Sequence, residues 1–264
     1  MILSAGTPAL LITLCALLAY GLAAWPGSER PRRDMGALLL GWVLHAVLLV
    51  LDIGGAGGGA RLGFAPVLSL TVWLVLLVHG IESRLVPLPA VRQVLACVGA
   101  GAVLLALAFP GDMRLTSANS WAPLHWVLGV ASYGLFGVAV LHASLLDAAE
   151  RRMRLRQPGA GAVFGMPLLR LERLTFRFVE AGFAVLTLAL VLGVITAARW
   201  RWDHKTVFSL LGWAVFAGLL AGRYVRGWRG RHATRWLYAG AGLLLLAYAG
   251  SRFVLEVVLG RSVP

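Results

Sequence analysis

The chain has 264 residues, of which 59% are hydrophobic and 13% are charged, and its mean hydropathy is +0.82. Soluble domains are about half apolar and about a quarter charged, so this composition excludes an ordinary soluble globular protein. The formal charge of +13 comes from basic residues between apolar runs, which fits membrane topology and lipid headgroups and argues against nucleic-acid binding.

Eight apolar runs are candidates for membrane-spanning helices, which need about 20 mostly apolar residues. The first run has no basic segment before it and exceeds a typical signal-peptide core, so we expect a span and not a cleaved leader. The pattern predicts an all-α, polytopic membrane helix bundle that forms a single domain over residues 1–264. In chain order the runs are 3–25, 36–52, 65–81, 91–109, 122–146, 176–197, 206–222 and 234–258.

The basic residues between these runs predict the orientation, because cytoplasmic loops are enriched in arginine and lysine. We expect the richer set of alternate connections to face the cytoplasm, with both termini on the periplasmic side of a bacterial inner membrane. The richer set has seventeen basic residues: Arg30, Arg32, Arg33, Arg84, Arg92, Arg151, Arg152, Arg154, Arg156, Arg170, Arg173, Arg177, Arg223, Arg226, Arg229, Arg231 and Arg235. The other set has seven: Arg61, Arg114, Arg199, Arg201, Lys205, Arg252 and Arg261.

Other features of the chain are predicted to be structural. The segment Pro167–Phe176 has leucines at helical spacing and is expected to lie in the membrane interface before the sixth span. The glycine-rich segment Asp52–Gly63 lacks a GK[ST] sequence and is expected to be a flexible outer loop. Cys15 and Cys97 lie in apolar runs without metal or redox spacing, so both are expected in the core.

Six histidines are the plausible metal ligands. His79, His142 and His232 are predicted near the cytoplasmic side, and His204 in an outer loop. His45 and His125 are both placed toward the outer side, in different helices. Neutral imidazoles from two helices commonly hold haem iron in helix bundles, whereas a histidine at a helix end is often only an interfacial residue.

The outer loop RWRWDHKTVF, residues 199–208, concentrates cations on the side that the charge rule disfavours. Its indoles could cover a planar macrocycle and its cations could pair with carboxylates, or the indoles could simply form an aromatic belt at the membrane surface. Asp203 could instead cap the seventh helix or pair with an arginine. The residues concerned are Arg199, Trp200, Arg201, Trp202, Asp203, His204 and Lys205.

These segments resemble the cytochrome c assembly family, the CcsA, CcmC and HemX proteins, and most closely its YpjD-like branch. The loop fits the tryptophan-rich WWD signature, and Leu124–Leu146 resembles the family helix that opens with a ligand histidine and carries a Ser-Tyr pair, here Ser132 and Tyr133. GWVLHAVLL resembles the upstream histidine-bearing helix. The signature positions are Trp200, Trp202, Asp203, Lys205, Phe208, Leu210 and Trp213, continued by Phe216 and Arg223.

The resemblance implies a membrane protein that handles b haem at the outer face and does not catalyse a bond change. It implies that the loop residues Trp200, Trp202 and Asp203, with the cations and His204 beside them, form a haem platform. A histidine that the family carries late in the chain, near Leu259, is absent. We therefore predict that His45 and His125 ligate the iron, with His204 as the rival to His45.

The implied partners are membrane lipid, haem, and apocytochrome c or another membrane assembly protein. Two alternatives remain. A HemX-like regulatory or scaffold protein would keep the fold without transferring haem. A quinol-linked b-haem protein would use the same ligands for electron transfer. The presence of a Soret band separates the scaffold from the other two, and rapid reduction by quinol identifies the redox protein.

Overall fold

The computed structural model describes residues 7–25, 31–53, 59–82, 89–115, 121–156, 162–163, 166–196 and 202–258. Within these ranges, a helix occupies the position of each predicted span, which confirms the all-α membrane bundle. The helices are α1 Thr7–Ala24, α2 Pro31–Ile53, α3 Phe64–Glu82, α4 Pro89–Ala108, α5 Ala122–Arg154, α6 Leu168–Thr196, α7 His204–Arg226 and α8 Gly230–Leu245.

The six helices from α2 to α7 are long and apolar enough to cross a membrane, and α1 is a shorter apolar helix. After α8, the helical path continues as a π-helical turn, Leu246–Gly250, then α9, Ser251–Phe253, and a second π-helical turn, Val254–Val258. Most of the predicted eighth span is therefore helical, but its hydrogen-bonding pattern changes beyond Leu245.

Short antiparallel strands pair in two places. Strand β1, Gly59–Leu62, pairs with β2, Asp112–Leu115, with Gly59 opposite Leu115. Strands β3, Ala162–Val163, and β4, Met166–Pro167, form a smaller pair. The prediction of a flexible loop over Asp52–Gly63 was thus wrong for Asp52, which lies in α2, and for Gly59–Leu62. The backbone groups of Gly59–Leu62 are satisfied by hydrogen bonds to β2. Residues 54–58 lie outside the described ranges.

The described residues group into two compact units. The first unit contains residues 1–116 and 252–264, and the second contains residues 117–251. Each unit has its own buried core. The single domain expected over residues 1–264 stays a prediction.

In the first unit, α1 packs against α2 and α4 around the fully buried ring of Tyr20. A Cβ atom added at Gly41 or at Gly99 would lie 2.8 or 2.9 Å from that ring, so the close approach depends on both glycines. Helices α2 and α3 are joined by stacked indoles of Trp42 and Trp73, each of which donates to the other's backbone carbonyl.

In the second unit, Phe136 of α5 stacks on Phe216 of α7 with 3.9 Å between ring centroids. Gly182 of α6 and Gly240 of α8 lie against these two rings, where added Cβ atoms would come within 3.0 and 2.8 Å. The stacked pair is fully buried, and it holds all four helices of the unit together.

Several local predictions differ from the structure. Helix α5 continues to Arg154, and α6 begins at Leu168, so most of Pro167–Phe176 forms the start of α6. Its place in the membrane interface stays a prediction. Cys15 and Cys97 are exposed on their helices, and their predicted place in the core was wrong. In a membrane span both faces are apolar, so composition does not separate the core face from the lipid face.

Candidate functional site

His125 lies in the first turn of α5, and its ring is oriented by α6. Its Nδ1 donates to the backbone carbonyl oxygen of Ala189 at 2.8 Å. Because a carbonyl oxygen can only accept, the proton of the neutral ring is on Nδ1 and the lone pair is on Nε2. The described residues supply no hydrogen bond to Nε2. A metal-binding histidine typically has this arrangement, with one nitrogen bonded to a carbonyl and the other available to the metal.

The ring of His125 also rests on Gly193, one helical turn beyond Ala189. A Cβ atom at this position would lie 2.9 Å from Cε1 of the imidazole. Ala189 and Gly193 therefore form a seat on α6 that fixes both the direction and the depth of the ring. The sequence alone does not reveal this seat, since its only signal is a glycine within the apolar run of the sixth span.

The described part of the predicted platform loop lies at the start of α7. Trp202 is 72% exposed, and His204 and Lys205 are also exposed in the first turn. Arg199, Trp200 and Arg201 lie outside the described residues. The indole of Trp202 is thus exposed and is not part of the core.

Asp203 is the N-cap of α7. Its Oδ1 accepts from the backbone N–H of Thr206 at 2.8 Å, which is the structural role considered for it in the sequence. The cap fixes the start of α7, and with it the positions of His204 and Lys205.

The capping role gives a direct stability prediction. We expect Asp203→Ala to lower the free energy of unfolding by about 1 kcal/mol, because the backbone donor at Thr206 loses its acceptor. Asp203→Asn keeps a capping oxygen and is the matched control. Thermal unfolding of the purified variants in one detergent measures the difference. Equal stability of the alanine variant and the unchanged protein would contradict the assignment.

Lys205 extends from α7 toward the helical segment after α8. Its Nζ lies 5.9 Å from the centroid of the Tyr248 ring. It is also near enough for its charge to act on the His125 ring. The described chain therefore brings His125, Lys205 and the start of α7 to the same end of the second unit.

Two further signature positions, Trp213 and Arg223, make internal contacts. Trp213 donates from Nε1 to Oγ1 of Thr187 at 2.9 Å, which ties α7 to α6. Arg223 donates to Glu172 at 3.0 Å and lies over the ring of Phe176. These residues hold the unit together, whereas Trp202, His204 and Lys205 are exposed.

The Ser-Tyr pair of α5 is also structural. Oγ of Ser132 donates to the carbonyl of Gly129 within the same helix. The hydroxyl of Tyr133 donates to the carbonyl of Leu244, close to the point where α8 changes to the π-helical turn. Tyr133 therefore fastens α5 to the end of α8.

His45 belongs to the first unit and is 1% exposed. A hydrogen bond of 3.1 Å joins its Nδ1 to the hydroxyl of Tyr20, and one of 2.7 Å joins its Nε2 to the hydroxyl of Ser69. Both ring nitrogens are occupied, and three helices meet at this ring. His45 could ligate a metal only after one hydroxyl leaves.

The remaining histidines have different surroundings. His79 and His142 are buried within the protein, and His142 stacks on Phe178. Their predicted place near the cytoplasmic side stays a prediction. His232 is exposed, with its ring edge-on to Trp228. Within the described ranges, no group of three or more His, Cys, Asp or Glu residues has the arrangement of a metal site.

Comparison with known proteins decides the family. Residues 35–259 match the family model described as Cytochrome C assembly protein. The chain belongs to that family. The chain is 28% identical over 269 residues to the cytochrome c biogenesis protein CcsA of Parasynechococcus marenigrum, with 89% of this chain and 88% of the relative covered.

Two further relatives of this family member span most of its length. Inner membrane protein YpjD of Escherichia coli K12 is 28% identical over 251 residues, which cover 92% of this chain and 94% of the relative. An uncharacterised 28.8 kDa protein of Azospirillum brasilense is 30% identical over 256 residues, with 93% of each covered. No solved structure matches the chain. The resemblance drawn from the loop and the His125 helix is confirmed.

Proposed function

We propose that this membrane protein binds b haem at the end of the second unit that carries His125 and Trp202, and presents it at the outer face of the bacterial inner membrane during cytochrome c assembly. The observation that supports this most is the His125 ring, whose Nδ1 is bonded to the Ala189 carbonyl and whose Nε2 is available. A histidine that binds haem iron typically has this arrangement of its two ring nitrogens. The names of relatives as cytochrome c biogenesis proteins agree with this function.

Each residue at this end has a distinct role in the proposal. Bound haem supplies an iron with axial positions, a flat apolar ring and two carboxylates. Nε2 of His125 would hold the iron, the exposed indole of Trp202 would cover the ring, and Lys205 would pair with a carboxylate. On the basis of place in the sequence, Trp200 would also cover the ring, and Arg199 and Arg201 would also pair with the carboxylates.

The second axial ligand is proposed to be His45. Its use requires the imidazole to give up its hydrogen bond to Ser69 or to Tyr20. His204 is the alternative, because it is exposed in the first turn of α7 beside Lys205. Replacement of each histidine in turn distinguishes them.

A haem stain and an absorbance spectrum of the detergent-purified full chain test the function. We expect a Soret band, a haem that is extracted by acidic acetone because it is not covalently attached, and a pyridine spectrum of the b type. A purified, folded protein without any Soret band after supplementation with haem would exclude the proposal.

The prediction that the loop at Arg199 lies on the outer face rests on the basic residues of the connections. Reporter fusions at Ser120 and Arg199 should behave as periplasmic, and a fusion at Gly159 as cytoplasmic, because seventeen of the basic residues lie in the opposite set of connections from Arg199. Paired alkaline phosphatase and fluorescent-protein fusions measure this. A cytoplasmic signal at Arg199 would place the loop on the wrong side for presenting haem outside.

The indoles provide a test that separates binding from anchoring. If Trp200 and Trp202 cover haem, changing both to alanine should lower the haem-to-protein ratio several-fold, since stacking on an aromatic ring is worth about 0.5–1.5 kcal/mol per pair. Trp213→Phe is the control, because this indole ties α6 to α7. Lower thermal stability with an unchanged haem ratio would mean that the two indoles only anchor the loop.

A regulatory or scaffold function is the second candidate. It is favoured by the internal contacts of Trp213, Phe216 and Arg223, which keep the family fold without contributing to an open site. A protein with this function would fold stably and bind another membrane protein without a Soret band. The same spectrum therefore decides between the two functions.

A further inference from the structure

Exposed arginines cluster at the end of the second unit opposite His125. They come from Arg151–Arg156 at the end of α5, from Arg170–Arg177 at the start of α6, and from Arg226–Arg235 around the turn between α7 and α8. The ion pair between Arg223 and Glu172 and the hydrogen bond from Thr234 to Asp147 show that these four helix ends meet. We call this surface the arginine end.

Three acidic side chains in this region accept hydrogen bonds within the protein. Glu172 accepts from Arg223 at 3.0 Å, and Asp147 accepts from Thr234 at 3.0 Å and from Tyr238 at 2.9 Å. Glu180 accepts from Tyr224 at 2.6 Å. The contacts of Glu172 and Asp147 lie within the unit, the contact of Glu180 with Tyr224 is on the surface, and Glu150 is half-buried. The exposed arginines therefore outnumber the carboxylates at the described helix ends.

Helix lengths place this surface at the level of lipid headgroups. Helix α5 has 33 residues and α6 has 29, which correspond to about 50 and about 44 Å at 1.5 Å per residue. The hydrocarbon core of a bilayer is only about 30 Å thick, so both helices extend beyond it. The apolar part of each helix lies toward His125, and the extension carries the arginines.

The residues next to the arginines are apolar or aromatic. Tyr224 and Val225 are exposed immediately before Arg226, and Val225 is 81% exposed. Leu155 and Leu169 are exposed beside Arg154 and Arg170. An exposed surface that mixes such side chains with cations suits the boundary between acyl chains and headgroups better than open water.

We propose that the arginine end is a binding surface for the phosphodiester headgroups of anionic phospholipids. A guanidinium group donates two parallel hydrogen bonds to phosphate oxygens, and arginine is suited to this geometry. The neighbouring Tyr224, Val225 and Leu169 contact the acyl side of the same lipids. Bound anionic lipid therefore fixes the depth of the second unit in the membrane, independently of whether the chain binds haem.

Lipid binding to the full chain in neutral detergent tests the proposal. The probes are phosphatidylglycerol and phosphatidylcholine with the same acyl chains, and native mass spectrometry counts the lipids bound. The test variant combines Arg170→Gln, Arg173→Gln, Arg226→Gln and Arg231→Gln. We expect phosphatidylglycerol affinity to fall by up to about fivefold for each arginine removed, with phosphatidylcholine binding unchanged.

Three controls make the outcome decisive. The same four positions changed to lysine should retain most of the preference for phosphatidylglycerol, and Arg61→Gln in β1 should retain all of it. Helical circular dichroism in neutral detergent should be the same for every variant, because the four replaced residues of the arginine end are exposed and Arg61 is only half-buried. Equal binding of the two lipids, or an unchanged preference in the glutamine variant, would overturn the proposal. Displacement of the lipid by free glycerol phosphate at equal concentration would assign the surface to soluble phosphates instead.

Discussion

Replacing His125 with alanine should remove the low-spin haem spectrum from the purified protein. The change deletes the ring whose Nδ1 is held by the Ala189 carbonyl and whose Nε2 is available for iron. We expect haem retention to fall by at least about tenfold, since even the loss of an outer-shell partner of a metal ligand typically has this effect. The remaining haem should give a five-coordinate, high-spin spectrum. Absorbance and the haem-to-protein ratio measure both effects.

Variants on the same helices separate ligation from general loss of packing. Gly193→Ala keeps His125 but places a Cβ atom 2.9 Å from its ring, so it should also lower haem retention. His142→Ala removes a buried histidine from the same helix and should leave the spectrum unchanged. A normal low-spin spectrum in His125→Ala would mean that this histidine is not a ligand.

The second large effect is expected at His45. Changing it to alanine should convert a six-coordinate haem to a five-coordinate, high-spin form if it supplies the second ligand. Ser69→Ala is the informative partner, because it removes the hydroxyl bonded to Nε2 and leaves the imidazole in place. We expect this variant to retain the low-spin spectrum and to bind haem at least as well as the unchanged protein. Absorbance and electron paramagnetic resonance distinguish the spin states.

A different result would assign His45 another role. If His45→Ala and Ser69→Ala both lower thermal stability while the haem spectrum stays low-spin, His45 is only a bridge between Tyr20 and Ser69. The second ligand would then be sought at His204, whose replacement by alanine should produce the high-spin form. If none of the three histidines affects the spectrum, the haem proposal fails and the scaffold function takes its place.

The positions of the helices could be predicted from sequence because each apolar run is long and is separated from the next by charged or glycine-rich segments. Helix ends were less accurate. Helix α5 continues through charged residues to Arg154, because helical hydrogen bonds do not require an apolar sequence. The exposure of Cys15 and Cys97 could not be predicted, since core and lipid faces have the same composition.

His125 was predicted as a ligand, but its seat was not. Every residue type has a backbone carbonyl, so the sequence does not mark the one at Ala189 as a partner. It contacts the imidazole only because α5 and α6 pack side by side. The cluster of Tyr20, His45 and Ser69 was missed for a similar reason. Each residue lies on a different helix, and single polar residues in apolar runs give no indication of their partners. Local capping by Asp203 could be considered in advance, because a cap depends on neighbouring residues alone.

Rescue of a His125→Gly variant by imidazole is the most direct test of haem ligation at this site. The variant opens a space beneath the Ala189 carbonyl that a free imidazole can fill, with its N–H bonded to that oxygen. We predict that the purified variant lacks the low-spin Soret spectrum and that millimolar imidazole restores it in the presence of haem, whereas 2-methylimidazole is less effective because of its additional methyl group. A low-spin spectrum in the variant without imidazole, or no recovery when imidazole is added to the folded protein, would contradict the assignment of His125 as the iron ligand.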